Sequence, residues 1–389
     1  MKKKLFEEIE TQKEKLIEMS DFIFDNPECN GEEKQAAQLL TDYLEKNGFY
    51  VERGIANLPT AFRAEYKKGS KGTKIGILCE YDALEGLGHA CGHHMQGPSC
   101  VGAAVALKNI LKNEEFSIIV YGTPAEETFG GKINMLAAGY FKDIDVALMM
   151  HGAPDTCTDV KCLAQSGFVV TYYGKKTHAA LMPENGRSAF DALLLSFQGI
   201  EFMREHVKED VRMHYTVKEL PGPENVVPSK AVGKFSLRSF SREYLNSVIE
   251  RFKDVIKGAS IMSGVSYEIE EENSLDNKIP NFSLNELFIE NAKLIGVPGI
   301  VSPREKTGST DFGNVMHKIP GSCIRIKFIS SGTSSHSQEY INAGKSLEAH
   351  NCIIYGAKVI VATAYDLINN NELLQRVKKE YLNNKEIYK

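Results

Sequence analysis

Between residues 80 and 94 the chain sets Glu80, Asp82, Glu85, His89, Cys91, His93 and His94 among little apolar filler. A thiol and an imidazole two residues apart, with Gly92 between them, can converge on one ion from a sharp loop, and both are good ligands for zinc-like metals. Similar groups recur at Glu126-Glu127, His151 and His336. Each has an ordinary reading on its own. A Glu-Glu pair is usually a surface charge pair, a lone Cys a small buried hydrophobe, and a lone His a hydrogen-bonded core or loop residue. Together, one thiolate, three imidazoles and a carboxylate suffice for two metal ions if one ligand is shared. Cys91 is the candidate bridge, since a thiolate has lone pairs for two soft ions. With two adjacent glutamates, one can bind metal while the other takes a proton from water acidified by the metal, which is the chemistry of hydrolytic attack on a carbonyl.

Such groups need a scaffold that gathers them. The run 74–79 has a strand pattern and 95–111 a helix pattern, so the polar stretch lies where a strand gives way to a helix, the edge at which open α/β sheets bind ligands. Residues 116–121 read as a buried strand running into Thr123-Pro124-Ala125-Glu126-Glu127, and 146–150 as an apolar strand ended by His151-Gly152. Three successive strands thus deliver polar residues at their C-terminal ends. Upstream, Leu5, Ile9, Leu16, Met19 and Ile23 share one helical face, and Ala36, Leu39, Leu40, Tyr43 and Leu44 another, closed by Asn47-Gly48. Short strands are expected at 50–53 and 60–66.

Near Gly167 the pattern changes. Strand 168–173, helix 188–207, strands 211–219 and 231–239, helix 242–262 and strand 265–271 follow in turn, and this βαββαβ order is the ferredoxin-like plan. The expected fold class is therefore α/β: a catalytic domain of residues 1–165 and 281–389, with a mixed sheet flanked by helices, interrupted by a second domain at 166–280. The end of the chain, 375–389, reads as a solvated helix.

Size and composition agree. A chain of 389 residues favours two domains, and 42% hydrophobic with 25% charged residues is the make-up of a soluble globular protein. A net charge of −5 leaves no basic footprint, so no nucleic-acid partner is expected. Residues 1–16 lack the apolar core of a signal peptide, and no apolar run is read as long enough to span a membrane, so no membrane partner is expected either. Eight scattered cysteines suit reduced thiols; the expected compartment is the cytoplasm. Gly86 and Gly88 lack the third glycine of a dinucleotide loop, Cys157 and Cys162 lack two further ligands for a structural zinc, and no His-Glu-x-x-His is present.

Eight motifs occur in one order: His-Ala-Cys-Gly-His at 89–93, Pro-Ala-Glu-Glu at 124–127, Gly130-Gly131-Lys132, His151-Gly152, a Gly-x-x-x-His ending at His178, Asn225-Val226-Val227-Pro228, Gly308-Ser309-Thr310-Asp311-Phe312 and Ser335-His336-Ser337. The set resembles the aminoacylase and carboxypeptidase family of two-metal amidohydrolases, in particular the branch of indoleacetyl-amino-acid hydrolases, aminobenzoyl-glutamate hydrolase and β-alanyl-lysine dipeptidases. The resemblance implies a zinc-exopeptidase-like catalytic domain with an inserted lid that also makes a homodimer. It implies two divalent ions per chain, zinc favoured and manganese or cobalt possible, acting on N-acyl amino acids or small dipeptides. By the same resemblance Cys91 bridges the ions, His93 and His151 bind one, and Glu127 and His336 bind the other. Glu126 would be the general base and Asp82 would orient a ligand. His178 and Asn225 would stabilise the oxyanion, often from the partner subunit, and Arg238 would grip the substrate carboxylate.

Two positions depart from the pattern. Many relatives have Asp where this chain has His94, and two-carboxylate relatives have His where it has Glu80. The second departure agrees with the thiolate branch, and Glu80-Tyr81-Asp82-Ala83-Leu84 points toward the aminobenzoyl-glutamate and dipeptidase types. The competing reading from another class is a non-catalytic binding protein that keeps the fold; the complete ligand set argues against it.

Overall fold

The structure, a computed structural model, describes residues 1–305 and 307–388, so Lys389 at the end of the expected tail helix lies outside the described residues. Helices α1 (Lys2–Asp25) and α2 (Lys34–Lys46) open the chain, followed by strands β1 (Tyr50–Arg53), β2 (Phe62–Lys68) and β3 (Thr73–Cys79). Next come α3 (Gln96–Ile110), β4 (Phe116–Gly122), α4 (Gly131–Ala137), β5 (Val146–Ala153) and the short β6 (Cys157–Thr158). A further group is β7 (Ala164–Tyr173), α5 (Ala189–Arg204), β8 (Arg212–Glu219), β9 (Lys230–Ser239), α6 (Arg242–Ser263) and β10 (Ser266–Leu275). The chain continues through α7 (Phe282–Ile295), α8 (Phe312–Met316), β11 (Gly321–Lys327), α9 (Gln338–Ala343), α10 (Leu347–Asn369) and α11 (Asn371–Tyr388). It divides into one unit of Met1–Lys161 with Lys278–Tyr388 and another of Cys162–Asn277. The division falls a few residues before the expected 166 and 280, because Ala164 already pairs in β7 and Lys278 is held by Asp159.

In the first unit the strand order is β1-β2-β4-β3-β5-β11-β6. Strands β4, β3, β5 and β11 run parallel, while β1, β2 and β6 pair antiparallel, giving the expected mixed sheet. Alternation splits each central strand between two cores. Ile77, Ile118, Val120, Leu148 and Ile324 pack under α1, α3, α7 and α10, whereas Leu78, Ile119, Tyr121, Ala147, Met149 and Cys323 pack with Met135, Phe141, Phe312 and Tyr381 on the other face. Helix α3 is buried on nearly every side, as its apolar circumference requires. A Cβ on Gly102 would stand 2.6 Å from Leu16 Cδ1, so glycine is what lets α1 and α3 approach this closely.

Strand β11 is absent from the sequence-based expectation, yet it lies between β5 and β6. Its residues Arg325 and Lys327 break the apolar run by which β3, β4 and β5 are recognised. Helix α10 also corrects an expectation: by length and composition it is long and apolar enough to cross a membrane. Here 67% of its apolar stretch is buried inside the protein, against α1, α3 and α7.

The second unit has the βαββαβ order with strands arranged β10-β7-β9-β8, all antiparallel, as the ferredoxin-like plan demands. Phe168, Val170, Tyr172, Phe235 and Leu237 face α5 and α6. Ser188 and Ser241 cap those helices by accepting the backbone N–H groups of Asp191 and Tyr244.

Candidate metal centre

Strands β3, β4, β5 and β11 end at one edge of the sheet, and each is followed by a segment that carries donors. After β3 the chain turns through Gly92, whose φ of +87° lies in the left-handed region and sets Cys91 and His93 on the two sides of the turn. After β4, Ala125 also has a positive φ, +57°, immediately before Glu126 and Glu127. His151 lies within β5 near its end, and His336 follows β11 with a φ of +61°. The His336 backbone N–H donates to the Ala90 carbonyl at 2.9 Å, which ties its loop to the Cys91 turn. Two non-glycine residues in this costly region at one site are the mark of a backbone held for function.

One donor atom from each of Cys91, His93 and His151 lies within 4.8 Å of the others, and the same holds for Cys91, Glu127 and His336. Donors bound to one zinc-like ion at about 2.0–2.3 Å stand roughly 3–4.6 Å apart, so the spacing fits two ions sharing Cys91. Cys91 Sγ is 3.6 Å from His151 Nε2, and His336 Nε2 is 3.0 Å from Glu127 Oε1. In two of the rings a supporting contact occupies Nδ1. His93 Nδ1 is 3.0 Å from Asp82 Oδ1, and His151 Nδ1 is 2.6 Å from the Gly152 carbonyl, so Nε2 of both is turned to the centre. The other Asp82 oxygen accepts the Glu127 backbone N–H at 3.0 Å, so one aspartate positions two donors.

The charges respond to this crowding. Burial pushes the Cys91 thiol up, but His93 and His151 outweigh it and bring it down to about 7, favouring the thiolate. Glu127 is drawn down to about 2, with His336 and His93 overcoming its burial. Glu126 goes the other way: burial first, then the charges of Glu80, Asp311 and Glu127, hold its carboxyl well above the ordinary range. Two adjacent glutamates are thereby separated in proton affinity, which suits one for coordination and the other for proton transfer.

Beneath them lies a feature the sequence reading did not assign. Lys132 is fully buried, and its Nζ donates to Glu80 Oε1 at 2.6 Å and to Asp311 Oδ1 at 2.7 Å. Gln96 also donates to Glu80 at 2.7 Å, and the Lys132 backbone N–H to Asp311 at 3.0 Å. Oxygens of Glu80, Glu126 and Asp311 lie within 4.8 Å of one another, but the lysine ammonium already serves as the cation there. The available signal was Lys132 itself, beside Gly130-Gly131 at the buried start of α4. His94 is explained too: it is buried, bonded at 2.9 Å to the Gly344 carbonyl and edge-on to Phe24, and burial lowers it to about 4, so it is a neutral packing residue.

The remaining candidates belong to the second unit. His178 and Asn225 are exposed neighbours: His178 bridges Val226, and the Ala179 N–H donates to the Asn225 carbonyl at 3.0 Å. Arg238 lies apart from them on β9, half-buried, with a buried Nε that has no partner among the described residues.

Comparison with known proteins agrees with this geometry. The chain is 33% identical to the mouse (Mus musculus) Xaa-Arg dipeptidase over 98% of its own length and 92% of the relative's. It is 27% identical to a p-aminobenzoyl-glutamate hydrolase chain of Escherichia coli K12, over 96% and 93%. Among solved structures, the Bacillus subtilis YXEP protein, described as a dinuclear metal-binding peptidase, superposes with a TM-score of 0.71 at 20% identity, covering 92% of this chain and 99% of that one. The sequence model of peptidase family M20/M25/M40 matches residues 76–366, and with it the chain is placed in that family, as a hydrolase of peptide or amide bonds.

Proposed function

We propose that the enzyme is a two-metal amidohydrolase that cleaves N-acyl amino acids or small dipeptides. The observation that carries this reading is the pair of donor groups sharing the Cys91 sulfur. Cys91, His93 and His151 would hold one ion, and Cys91, Glu127 and His336 the other. A thiolate between two imidazole-rich sites favours zinc, with manganese or cobalt as alternatives. When bound, such ions polarise the scissile carbonyl and acidify water.

The protein's own groups would do the rest. Glu126, beside the donors but not needed among them, would take the attacking water's proton and pass it to the leaving nitrogen. Asp82 would keep His93 and Glu127 aimed. His178 and Asn225 would donate to the developing oxyanion, from the same or the partner subunit, and the unpaired Nε of Arg238 suits a substrate α-carboxylate. A homodimer through the second unit belongs to the same reading. Its support is the edge strand β8, whose outer side has no strand neighbour among the described residues; sedimentation of the full chain would read it.

The test is a panel of N-acyl amino acids and dipeptides offered to the purified chain with several divalent metals. Hydrolysis of at least one class is expected, abolished by a chelator and restored by metal. A folded protein that takes up no ion and cleaves nothing would favour the binding-protein reading instead.

A further inference from the structure

The sheet of the second unit turns Phe168, Val170, Phe235 and Leu237 toward its helices, so the residues that alternate with them lie on the opposite face. On that face the register lays a row across all four strands. Asn273 of β10 is paired with Gly167 of β7, Gly167 with Ser236 of β9, and Ser236 with His214 of β8. Neighbouring strands stand about 4.8 Å apart, so Asn273 and Ser236 flank the glycine with roughly 10 Å between their backbones. The middle of the row has no side chain, and a hollow of ≈ 370 Å³ is lined by this row together with Gln165, Lys234 and Glu272. A Cβ on Gly167 would stand 2.9 Å from Asn273 Oδ1 and 3.8 Å from Glu272 Oε2, so both oxygens overhang the glycine.

Several polar atoms around the hollow are left over. Ser236 Oγ, Asn273 Oδ1 and, two residues along β9, Arg238 Nε are buried without a hydrogen-bond partner among the described residues. Lys234 and Glu272 balance each other at 2.7 Å, whereas burial lowers the proton affinity of Arg238 and no neighbouring acid offsets it. Buried polar groups without partners are costly, and a ligand that pairs them removes the penalty. The surroundings are also polarised: hydroxyl and guanidinium donors stand on the β9 side, amide and carboxylate oxygens on the β10 side. An anion alone would leave Asn273 Oδ1 unanswered, and a cation alone would leave Arg238. A small molecule with a carboxylate at one end and an ammonium at the other answers both.

We propose that this hollow, built wholly from the second unit, holds a free α-amino acid as its zwitterion, with the carboxylate on Arg238 and Ser236 and the ammonium on Asn273 and Glu272. The inference deepens the hydrolase reading and rests on it for the source of the ligand. Cleavage of an N-acyl amino acid creates the ammonium that the β10 side recognises, so the released amino acid is bound more tightly than its N-acyl form. No metal donor takes part, and the site retains product without help from the ions.

The test is calorimetry on the full chain, metal-loaded and chelator-treated, with glycine, with N-acetylglycine, which lacks the ammonium, and with glycinamide, which lacks the carboxylate. Losing a hydrogen bond to a charged group weakens binding by about 10-fold or more. Glycine is accordingly expected to bind at least about that much more tightly than either analogue, in both metal states. Ser236→Ala and Asn273→Ala should each lose most of the glycine affinity. Arg238→Met should weaken glycine and N-acetylglycine and spare glycinamide, and Gly167→Ala should close the hollow to all three. Thermal midpoints confirm that the variants are folded; if Gly167→Ala is not, the Ser236 and Asn273 variants decide. Equal affinity for glycine and N-acetylglycine, glycine binding confined to the metal-loaded chain, or variants that bind glycine as wild type does would each overturn the proposal. Amide hydrolysis is scored on the same preparation. A chain that binds glycine in this pattern and cleaves no amide supports the site and counts against the hydrolase reading, whereas turnover with no preference for glycine counts against the site alone.

Discussion

Glu126→Gln is expected to lower kcat by roughly 10²- to 10⁴-fold, the usual contribution of a positioned acid–base group, with KM and metal content close to those of wild type. The substitution keeps the side-chain volume and removes only the ionisable oxygen. Glu126 makes no hydrogen bond to another described residue, and its neighbours include Glu80, Asp311 and Glu127, whose charges oppose its ionisation. Removing the carboxylate relieves that repulsion, so the variant should unfold at the same temperature as wild type or slightly above it. A loss of turnover at undiminished stability separates a chemical role from a structural one. Steady-state kinetics with thermal unfolding on the same preparation reads both, and unchanged kcat would remove Glu126 from the mechanism.

Lys132→Met carries the largest expected effect on stability, a loss of about 3–5 kcal/mol, as when one partner of a buried ion pair is removed. Methionine fills a similar volume but leaves Glu80 and Asp311 facing each other with Glu126 close by and no cation between them. Those carboxylates anchor the polypeptide around β3, α4 and the turn before α8, so the damage should reach the metal donors as well as the midpoint of unfolding. Neutralising Asp311 in the same chain, as Lys132→Met with Asp311→Asn, should recover part of the loss, because fewer unpaired charges remain. Urea denaturation of the two variants checks this; a penalty below about 1 kcal/mol for Lys132→Met would show that the ammonium is not what balances these acids.

The contrast between these two residues shows how the chain discloses its site. The candidate donors that the structure brings together were legible because thiol, imidazole and carboxylate are rare at strand ends, and β3, β4 and β5 announce themselves as apolar runs. His336 was legible only as part of a motif, since β11, which leads to it, carries Arg325 and Lys327 and does not read as a buried strand. Lys132 was passed over because the pattern that marks a buried lysine is three-dimensional: its two acids are 52 and 179 positions away. The positive φ of Ala125 and His336 left no trace in residue type, since neither is glycine. The ferredoxin-like unit was the easiest part, because its alternating strands and two long helices obey local periodicity throughout. His94 showed the reverse case, a residue that suggested chemistry by its neighbours and proved to be neutral packing against Phe24.

Whether Cys91 supplies one sulfur to two ions can be read by cobalt loading. Wild-type protein titrated with Co²⁺ should take up about two ions per chain and develop the near-ultraviolet charge-transfer absorption of a thiolate bound to cobalt. Cys91→Ser should lose that absorption together with at least one ion and with hydrolysis. Identical stoichiometry and identical spectra in the two proteins would contradict the account.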